Sequence, residues 1–289
     1  MKKNVIKFFC FLILFLFIGC KSTKLKNISL ITKNKFSCVY QGIEHKVIVD
    51  FPEVVENSPL IIMLHGYGNS ASSFRSTTGF EKDATLQGYT VVWVSGSKNP
   101  KVRTSLPEWN SGLGYNNNDD VGFLVSVVEY FQTNYNTSKE KVFAIGFSNG
   151  AFMTHRLALE ASDVFAGVVS VAGKMPKYVW ENKTKKCNIN VFQITGEKDN
   201  VIPKKLDNSV ATAIDPAIED VIEYYVQANG LEIKEEVKIA SSTLTKYKSN
   251  SSDKKIFHLL VAEGNHSWPT EQINGIDTNK LILEFLKSI

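Results

Sequence analysis

The chain has 289 residues, of which 43% are hydrophobic and 21% charged, and its formal net charge is +4. Residues 1–19 contain three lysines and no acidic residue, so without them the charge is +1 and 270 residues remain. This near-neutral balance argues against a nucleic-acid-binding protein, which would present concentrated positive charge. The remaining length is sufficient for one large hydrophobic core.

The first 19 residues have the pattern of a signal peptide. Three lysines precede an apolar stretch, Phe8 to Ile18, that is too short for a membrane-spanning helix. The stretch ends at Leu16-Phe17-Ile18-Gly19-Cys20, which resembles a bacterial lipobox. We therefore expect 1–19 to be removed, Cys20 to be lipidated, and the protein to be anchored to a membrane in the periplasm or at the cell surface, or else secreted. An ordinary secretory signal and an uncleaved anchor are the alternatives.

Residues 20–37 are rich in Lys, Ser, Thr and Asn, and we expect a tether there, followed by one domain at 38–289. From there on, strand and helix patterns alternate, which predicts an α/β fold with a mostly parallel sheet and helices on both faces. Residues 232–255 alternate charged and β-prone side chains and allow no firm assignment. The expected elements are strands at 47–49, 60–64, 90–94, 142–145, 168–171, 189–194 and 256–262, and helices near 80–87, 120–135, 151–161, 216–228 and 278–287.

The stretch Gly146-Phe147-Ser148-Asn149-Gly150 joins a predicted strand to a predicted helix. In such a strand–turn–helix elbow, the serine hydroxyl projects from the edge of the sheet, which makes Ser148 a candidate nucleophile. A serine needs a histidine as base and a carboxylate that orients the histidine. Because the five-residue motif also occurs by chance, the rest of the chain has to supply both.

His266 is the best candidate for the base, because it lies in a turn-rich loop directly after the last strand. His45 and His258 lie in or near strands, and His155 is about two turns along the helix from Ser148. Asp199 is the best candidate for the acid, because it follows another strand and lies between the serine and the histidine in the order Ser, Asp, His. Glu197 is the alternative acid; a loop aspartate alone is often only a turn former.

An oxyanion hole requires two backbone N–H donors. Asn149 can provide one, and Tyr67, in the loop His65-Gly66-Tyr67-Gly68, the other. We interpret His65 as a residue that shapes this loop, while a glycine turn without a catalytic role is the alternative. Trp109, Tyr115 and Trp268 are candidates for an aromatic substrate wall, and ordinary loop packing explains each of them equally well.

Asp119 and Asp120 are interpreted as caps of the following helix, with a position near the site as the alternative. Cys38 and Cys187 either form a disulfide or remain as buried thiols. The sequence contains no metal-ligand spacing, and we expect no metal and no cofactor.

Four blocks together resemble the α/β-hydrolase family of secreted polyhydroxybutyrate depolymerases and feruloyl or acetyl-xylan esterases. They are His65 to Gly68, Gly146 to Gly150, Gly196 to Pro203 and Gly264 to Pro269, and the string Asp119-Asp120-Val121-Gly122-Phe123 strengthens the resemblance. It covers roughly residues 40 to 288. Ala151 and Asn265 depart from the family, in which glycines are frequent at these positions, and the absence of an appended substrate-binding domain argues against attack on insoluble polymer.

The resemblance implies a serine esterase without cofactor, with Ser148 as nucleophile, His266 as general base and acid, and Asp199 as orienting carboxylate. Its substrate would be an ester, carried by a plant polysaccharide or a short polyester. A serine peptidase on the same fold is the nearest alternative. A retired hydrolase that serves as a carbohydrate-binding surface lipoprotein is the alternative from another class.

Overall fold

The computed structural model describes residues 25–98, 106–114, 116–185, 187–203 and 216–289. Within these ranges, eleven strands form one sheet in the spatial order β1-β2-β3-β5-β4-β6-β7-β8-β11-β10-β9. The strands are β1 (Lys26–Thr32), β2 (Lys35–Tyr40), β3 (Ile43–Asp50), β4 (Leu60–Leu64), β5 (Thr90–Val94), β6 (Val142–Phe147), β7 (Gly167–Val171), β8 (Asn190–Gly196), β9 (Ile233–Ile239), β10 (Ser242–Lys248) and β11 (Ile256–Val261).

The six central strands, β5-β4-β6-β7-β8-β11, are parallel, and antiparallel strands extend the sheet on both sides. The predicted α/β-hydrolase fold with a mostly parallel core is therefore confirmed, within a large mixed sheet. Because parallel strands end at the same edge, the loops that follow β4, β6, β8 and β11 meet there.

Helices cover both faces of the sheet, as expected. They are α1 (Ala71–Thr78), α2 (Glu81–Leu86), α3 (Asp120–Tyr135), α4 (Asn149–Glu160), α5 (Lys177–Glu181), α6 (Ile218–Ala228), α7 (Glu271–Asn274) and α8 (Thr278–Lys287). In β4, alternate residues face opposite sides, so Leu60, Ile62 and Leu64 pack in one core with α3, α4 and α6. Ile61 and Met63 pack in a second core with α1, α2 and α8. Because both faces of β4 are buried in a core, every residue of this strand is apolar.

The predicted tether at 20–37 is wrong for most of its length, because residues 26–32 and 35–40 are strands of the sheet. In β2, Phe36, Cys38 and Tyr40 are buried at every second position, which is the pattern of a strand with one face in the core. β1 is exposed along its whole length and joins the sheet through main-chain pairing with β2. The predicted signal peptide, 1–19, and Cys20 lie outside the described residues.

Two other stretches differ from expectation. The region 232–255 contains the antiparallel strands β9 and β10, which extend the edge beyond β11. Helix α1 was not predicted because its sequence, Ala-Ser-Ser-Phe-Arg-Ser-Thr-Thr, buries only three side chains. Ser70 caps its start, and Gly79, with φ 56°, caps its end.

Cys38 and Cys187 are both buried free thiols, and burial raises the pKa of each to about 12.

Candidate active site

Ser148 lies at the sharp turn between β6 and α4, with φ 51° and ψ −117°. A non-glycine residue with positive φ is uncommon, and such strain persists only where the surroundings enforce it. Its N–H donates to the carbonyl of Val171 at 3.0 Å, and its own carbonyl accepts the N–H groups of Ala151 and Phe152 at 2.8 and 3.1 Å. Hydrogen bonds to β7 and α4 therefore hold the strained turn in place.

The glycines of the elbow are required by close packing. A Cβ on Gly146 would overlap the carbonyl of Gly150, and a Cβ on Gly150 would overlap the carbonyl of Leu64 at the end of β4. A Cβ on Gly66, in the loop after β4, would lie 3.2 Å from the Cβ of Ser148. The loop after β4 and the elbow therefore pack directly against each other.

Ser148, His266 and Asp199 form a continuous chain of hydrogen bonds. The His266 imidazole contacts the Ser148 Oγ through Nε2 at 2.9 Å and the Asp199 Oδ2 through Nδ1 at 2.8 Å. Since a carboxylate only accepts, Nδ1 donates to Asp199, and Nε2 is left to accept the hydroxyl proton of Ser148. The structure thus brings together the three residues predicted from the sequence, with the histidine in the tautomer that a base requires.

The loops that carry the acid and the histidine are joined to each other. They follow the neighbouring parallel strands β8 and β11, and the N–H of Lys198 donates to the carbonyl of Gly264 at 2.8 Å. A side chain on Gly196 would meet the carbonyls of Gly264 and Asn265 at 2.5 and 2.7 Å. The distance between the carboxylate and the imidazole is therefore set by contact between two strand ends.

The Asp199 carboxylate is almost completely buried and fully used. Its Oδ1 accepts the N–H groups of Val201 and Ile202 at 2.9 and 2.8 Å, while Oδ2 faces His266. The alternative acid, Glu197, accepts the N–H of Glu263 at 3.2 Å, and in the described part of the chain the carboxylate at His266 Nδ1 is that of Asp199. Only 1% of the Asp199 side chain is exposed, against 18% for His266, so the carboxylate is shielded from water while the imidazole is accessible.

The two predicted oxyanion donors belong to the two segments that meet at Ser148. Asn149 is the first residue of α4, where a backbone N–H has no acceptor within its own helix. Tyr67 follows Gly66 in the loop that packs against the elbow. Because β4 and β6 are parallel neighbours, with Leu64 opposite Gly146, both residues are placed at the same edge.

His65 is buried and fixes the conformation of this loop. Its Nε2 accepts the N–H of Gly96 at 2.9 Å, which leaves Nδ1 to donate to the carbonyl of Gly66 at 2.7 Å. Burial lowers the pKa of His65 to about 4, so the ring is neutral at pH 7. These contacts agree with the interpretation of His65 as a loop-shaping residue.

The predicted aromatic wall is not supported. Trp109 is completely buried, and its indole N–H donates to the carbonyl of His65 at 2.9 Å. Trp268 is only 8% exposed; it packs edge-on against Phe74 and donates to Asn279 at 3.1 Å. Both indoles are thus used in internal packing, which favours the loop-packing alternative for these two residues, and Tyr115 lies outside the described residues.

The exposed apolar side chains in the loops around the site are Tyr67, which the sequence analysis named only for its backbone N–H, and two residues that it did not single out. Tyr67, Leu106 and Val201 are 51%, 45% and 56% exposed and lie in loops after β4, β5 and β8. Leu106 lies beside the loop after β4, since its Cδ1 is 3.0 Å from where a Cβ of Gly68 would be. Single apolar residues in loops have no periodicity, so only their positions in loops that follow predicted strands could have indicated them.

The string Asp119 to Phe123 has a structural explanation. Asp119 caps α3 by accepting the N–H of Gly122 at 2.9 Å, which confirms the capping interpretation for this residue. Asp120 is buried and accepts the N–H of Asn110 at 2.6 Å, so it anchors the loop after β5. Burial is the main cause that raises the pKa of Asp120 to about 7.

The other histidines have different surroundings. His155 is fully buried and contacts the hydroxyls of Tyr225 and Ser170 at 3.1 Å and the amide oxygen of Gln193 at 3.0 Å. His45 stacks on Phe123 with 3.7 Å between the ring centroids.

Within the described ranges, no cluster of three or more His, Cys, Asp or Glu side chains could bind a metal ion. No helix in the same ranges is long and apolar enough to cross a membrane.

A parallel sheet with a serine elbow, and an acid and a histidine on two later strand ends, defines an α/β hydrolase of the serine type. A family model described as phospholipase/carboxylesterase matches residues 45–247, and the chain belongs to this family. The resemblance to esterases expected from the sequence is thereby confirmed.

Individual relatives agree with this family. The chain is 30% identical over 243 residues to a putative esterase, NocK, of Nocardia uniformis subsp. tsuyamanensis, covering 75% of this chain and 67% of that protein. It is 27% identical over 164 residues to feruloyl esterase B of Piromyces equi, covering 54% of this chain but only 30% of that protein. A solved acetyl xylan esterase from Aspergillus awamori has the same fold, with a TM-score of 0.61 and 13% identity over 85% of this chain and 94% of that chain.

Proposed function

We propose that the protein is a serine esterase that hydrolyses carboxylic esters through an acyl-enzyme on Ser148. The observation that carries this proposal is the hydrogen-bond chain from the Ser148 Oγ through His266 to Asp199, with contacts of 2.9 and 2.8 Å. In the first half-reaction, His266 Nε2 takes the hydroxyl proton while Oγ attacks the ester carbonyl. His266 then protonates the departing alcohol, which leaves the acyl group on Ser148.

The second half-reaction repeats these steps with water. His266 Nε2 takes a proton from the water that attacks the acyl-enzyme, and returns it to Ser148 as the carboxylic acid leaves. In both halves, we assign the negative charge of the tetrahedral intermediate to the N–H groups of Tyr67 and Asn149, and each such donor is worth about 3 kcal/mol in the transition state. Asp199 holds the imidazole in its tautomer and stabilises the imidazolium.

The relatives support a class of ester. They include a feruloyl esterase and an acetylxylan esterase, and we assign an ester on a polysaccharide or a short polyester to this chain. We assign contact with the acyl group to the exposed side chains of Tyr67, Leu106 and Val201. A serine peptidase and a retired carbohydrate-binding lipoprotein are less well supported, because the relatives are esterases and the hydrogen-bond chain is intact.

Ser148→Ala tests the proposal. We expect it to remove nearly all turnover of short nitrophenyl esters and all labelling by a fluorophosphonate, whereas Ser72→Ala, on the exposed side of α1, should leave both unchanged. Undiminished ester turnover in Ser148→Ala would exclude the assignment. Cleavage of matched amides at the same rate as esters would favour the peptidase, and a wild-type protein that takes no label would favour the binding protein.

We also propose that the mature chain begins at a lipidated Cys20 and lies at a membrane surface outside the cytoplasm. The supporting observation is the order of a basic start, a short apolar stretch and Leu16 to Cys20. Strand β1 begins at Lys26, so the domain would be held within roughly 20 Å of the lipid. Incorporation of a fatty-acid analogue into the wild type but not into Cys20→Ala is the expected result; equal incorporation would refute the anchor.

A further inference from the structure

A cavity opens between the loop after β5 and helices α4 and α5. Its volume is about 250 Å³, and we call it the loop cavity; its walls include Asn110, Gly112, Gly114, Asn117, Arg156 and Tyr178. The loop after β5 and the segment that leads from β7 into α5 both leave the sheet at the edge that carries Ser148. The loop cavity thus lies on the side of the protein where a substrate would arrive.

The loop cavity is close to Ser148 but separate from it. Asn110 lies between Trp109 and Ser111, both of which are hydrogen-bonded to the side chain of Asn149, the residue after the serine. Arg156 is eight residues beyond Ser148 in α4, which corresponds to about 12 Å along the helix. One extended substrate molecule could therefore reach both the loop cavity and Ser148, with its reacting ester bond at some distance from the cavity.

The charges around the loop cavity favour a neutral occupant. The Arg156 guanidinium is paired with Glu160, through contacts of 2.6 and 3.1 Å, and also donates to the carbonyl of Asn110. Behind the wall, Glu108 and Asp120 are buried. An anionic ligand would have to compete with Glu160 for the Arg156 guanidinium. A cationic ligand would be repelled by the positive charge of the same guanidinium.

The cavity offers an aromatic ring, that of Tyr178, with the Arg156 guanidinium 5.9 Å from its centroid, and polar hydrogen-bonding groups. The Tyr178 side chain is 52% exposed, and within the described part of the chain its hydroxyl has no hydrogen-bond partner. Asn117 is exposed, and its amide makes no hydrogen bond there either. At Gly114, with φ 81°, nothing lies within 4 Å of where a Cβ would be. A flat apolar face next to amide and hydroxyl groups suits a ligand that has C–H faces and hydroxyl edges.

We propose that the loop cavity is a subsite for one neutral sugar unit in the alcohol part of the substrate, beyond the unit that carries the ester. This inference rests on the proposed esterase function, and it makes an ester on an oligosaccharide the substrate class. A sugar ring would stack on Tyr178, its hydroxyls would hydrogen-bond with the Asn117 amide, and one of them would accept an N–H of Arg156. Binding there would hold a long substrate in place without changing the chemistry at Ser148.

Binding can be tested in the Ser148→Ala protein with xylotetraose and cellotetraose as probes, by saturation-transfer NMR and calorimetry. We expect at least one of the two to bind, and Tyr178→Ala to weaken its binding about ten-fold, which corresponds to roughly 1.4 kcal/mol. Tyr178→Phe should retain most of the affinity because it keeps the ring. Leu86→Ala, which removes an 86% exposed side chain on α2, is the control and should have no effect.

Kinetics separate this inference from the proposed function. Tyr178→Ala should raise KM for an esterified xylo-oligosaccharide about ten-fold and leave kcat/KM for nitrophenyl acetate unchanged. If the wild type hydrolyses both substrates but Tyr178→Ala changes neither, or if neither tetrasaccharide binds, the subsite is refuted while the esterase remains. If the wild type hydrolyses no ester, the proposed function itself fails, and oligosaccharide binding that depends on Tyr178 would then identify a binding protein.

Discussion

The side chain of Asn149 pairs with the main chain of Trp109. Its Oδ1 accepts the Trp109 N–H at 2.7 Å, and its Nδ2 donates to the Trp109 carbonyl at 3.4 Å and to the Ser111 hydroxyl at 3.0 Å. All of these groups are buried. One residue thus does two things: its main chain begins α4 beside Ser148, and its side chain fixes the loop after β5. Elbow and loop are expected to move as one unit.

Asn149→Ala tests this connection, because it keeps the main-chain N–H and removes only the side-chain contacts. The buried N–H of Trp109 would lose its acceptor, so we expect a loss of about 1–3 kcal/mol in the free energy of unfolding and a fall in kcat for nitrophenyl esters. Chemical denaturation and steady-state kinetics measure the two effects. Ser111→Ala removes one of the three contacts and should have a smaller effect on both; equal effects would contradict the pairing.

Asp199 and Glu197 provide a matched pair of acidic residues in one loop. Asp199→Asn keeps the shape but removes the charge that orients His266, and we expect kcat to fall by about three to four orders of magnitude. Glu197→Gln should stay near wild type, since its carboxylate accepts the N–H of Glu263 and an amide oxygen can do the same. Ester turnover and circular dichroism of both variants are the measurements. A larger loss of kcat in Glu197→Gln than in Asp199→Asn would identify Glu197, and not Asp199, as the carboxylate that orients His266.

Gly150 has no room for a side chain. A Cβ there would overlap the carbonyl of Leu64, and neither β4 nor the elbow can shift without moving Ser148. We expect Gly150→Ala to lower stability and to abolish ester turnover. Gly88→Ala adds the same methyl group at φ 87° with nothing within 4 Å, so it should cost about 1–2 kcal/mol of backbone strain and leave turnover intact. Normal activity of Gly150→Ala would show that the elbow tolerates displacement.

The residues of the hydrogen-bond chain could be predicted from the sequence because each follows a strong apolar strand. Parallel strands bring their ends together whatever the details of packing, so chain order and strand position are sufficient for Ser148, Asp199 and His266. The burial of Trp109 could not be predicted in this way. It depends on a carbonyl of His65 and an amide of Asn149 that are about 40 residues distant in sequence.

The missed strands have a similar explanation. In β2 the alternation of Phe36, Cys38 and Tyr40 is a strand pattern, but it has only three buried positions, and the polar residues around them obscure it. In β1 every side chain is exposed, so its sequence contains no burial pattern at all, and its position depends on main-chain pairing with β2. Strands at the edge of a sheet are in general the elements that side-chain periodicity identifies least well.

Asp120 should make stability depend on pH. Its pKa is raised from 3.8 to about 7, first by burial, and also by Asp119 and Glu108, while the Asn110 N–H and Arg156 act in the opposite direction. Below about pH 4, the residue is protonated in both the folded and the unfolded state. Between pH 4 and 7, the folded state retains a proton that the unfolded state has lost, so folding stability falls as the pH rises, by up to roughly 1.4 kcal/mol per pH unit. Above pH 7, this dependence ends.

Asp120→Asn removes this titration while an amide oxygen can still accept the Asn110 N–H. Denaturant unfolding of both proteins at pH 4.5, 6.0 and 7.5 is the measurement, because the buried histidines, whose pKa values are lowered, contribute equally to both and cancel in the difference. We expect the wild type to lose stability relative to Asp120→Asn as the pH rises through this range. Parallel stability curves would mean that Asp120 titrates alike in both states, and that the loop after β5 does not shield it from water.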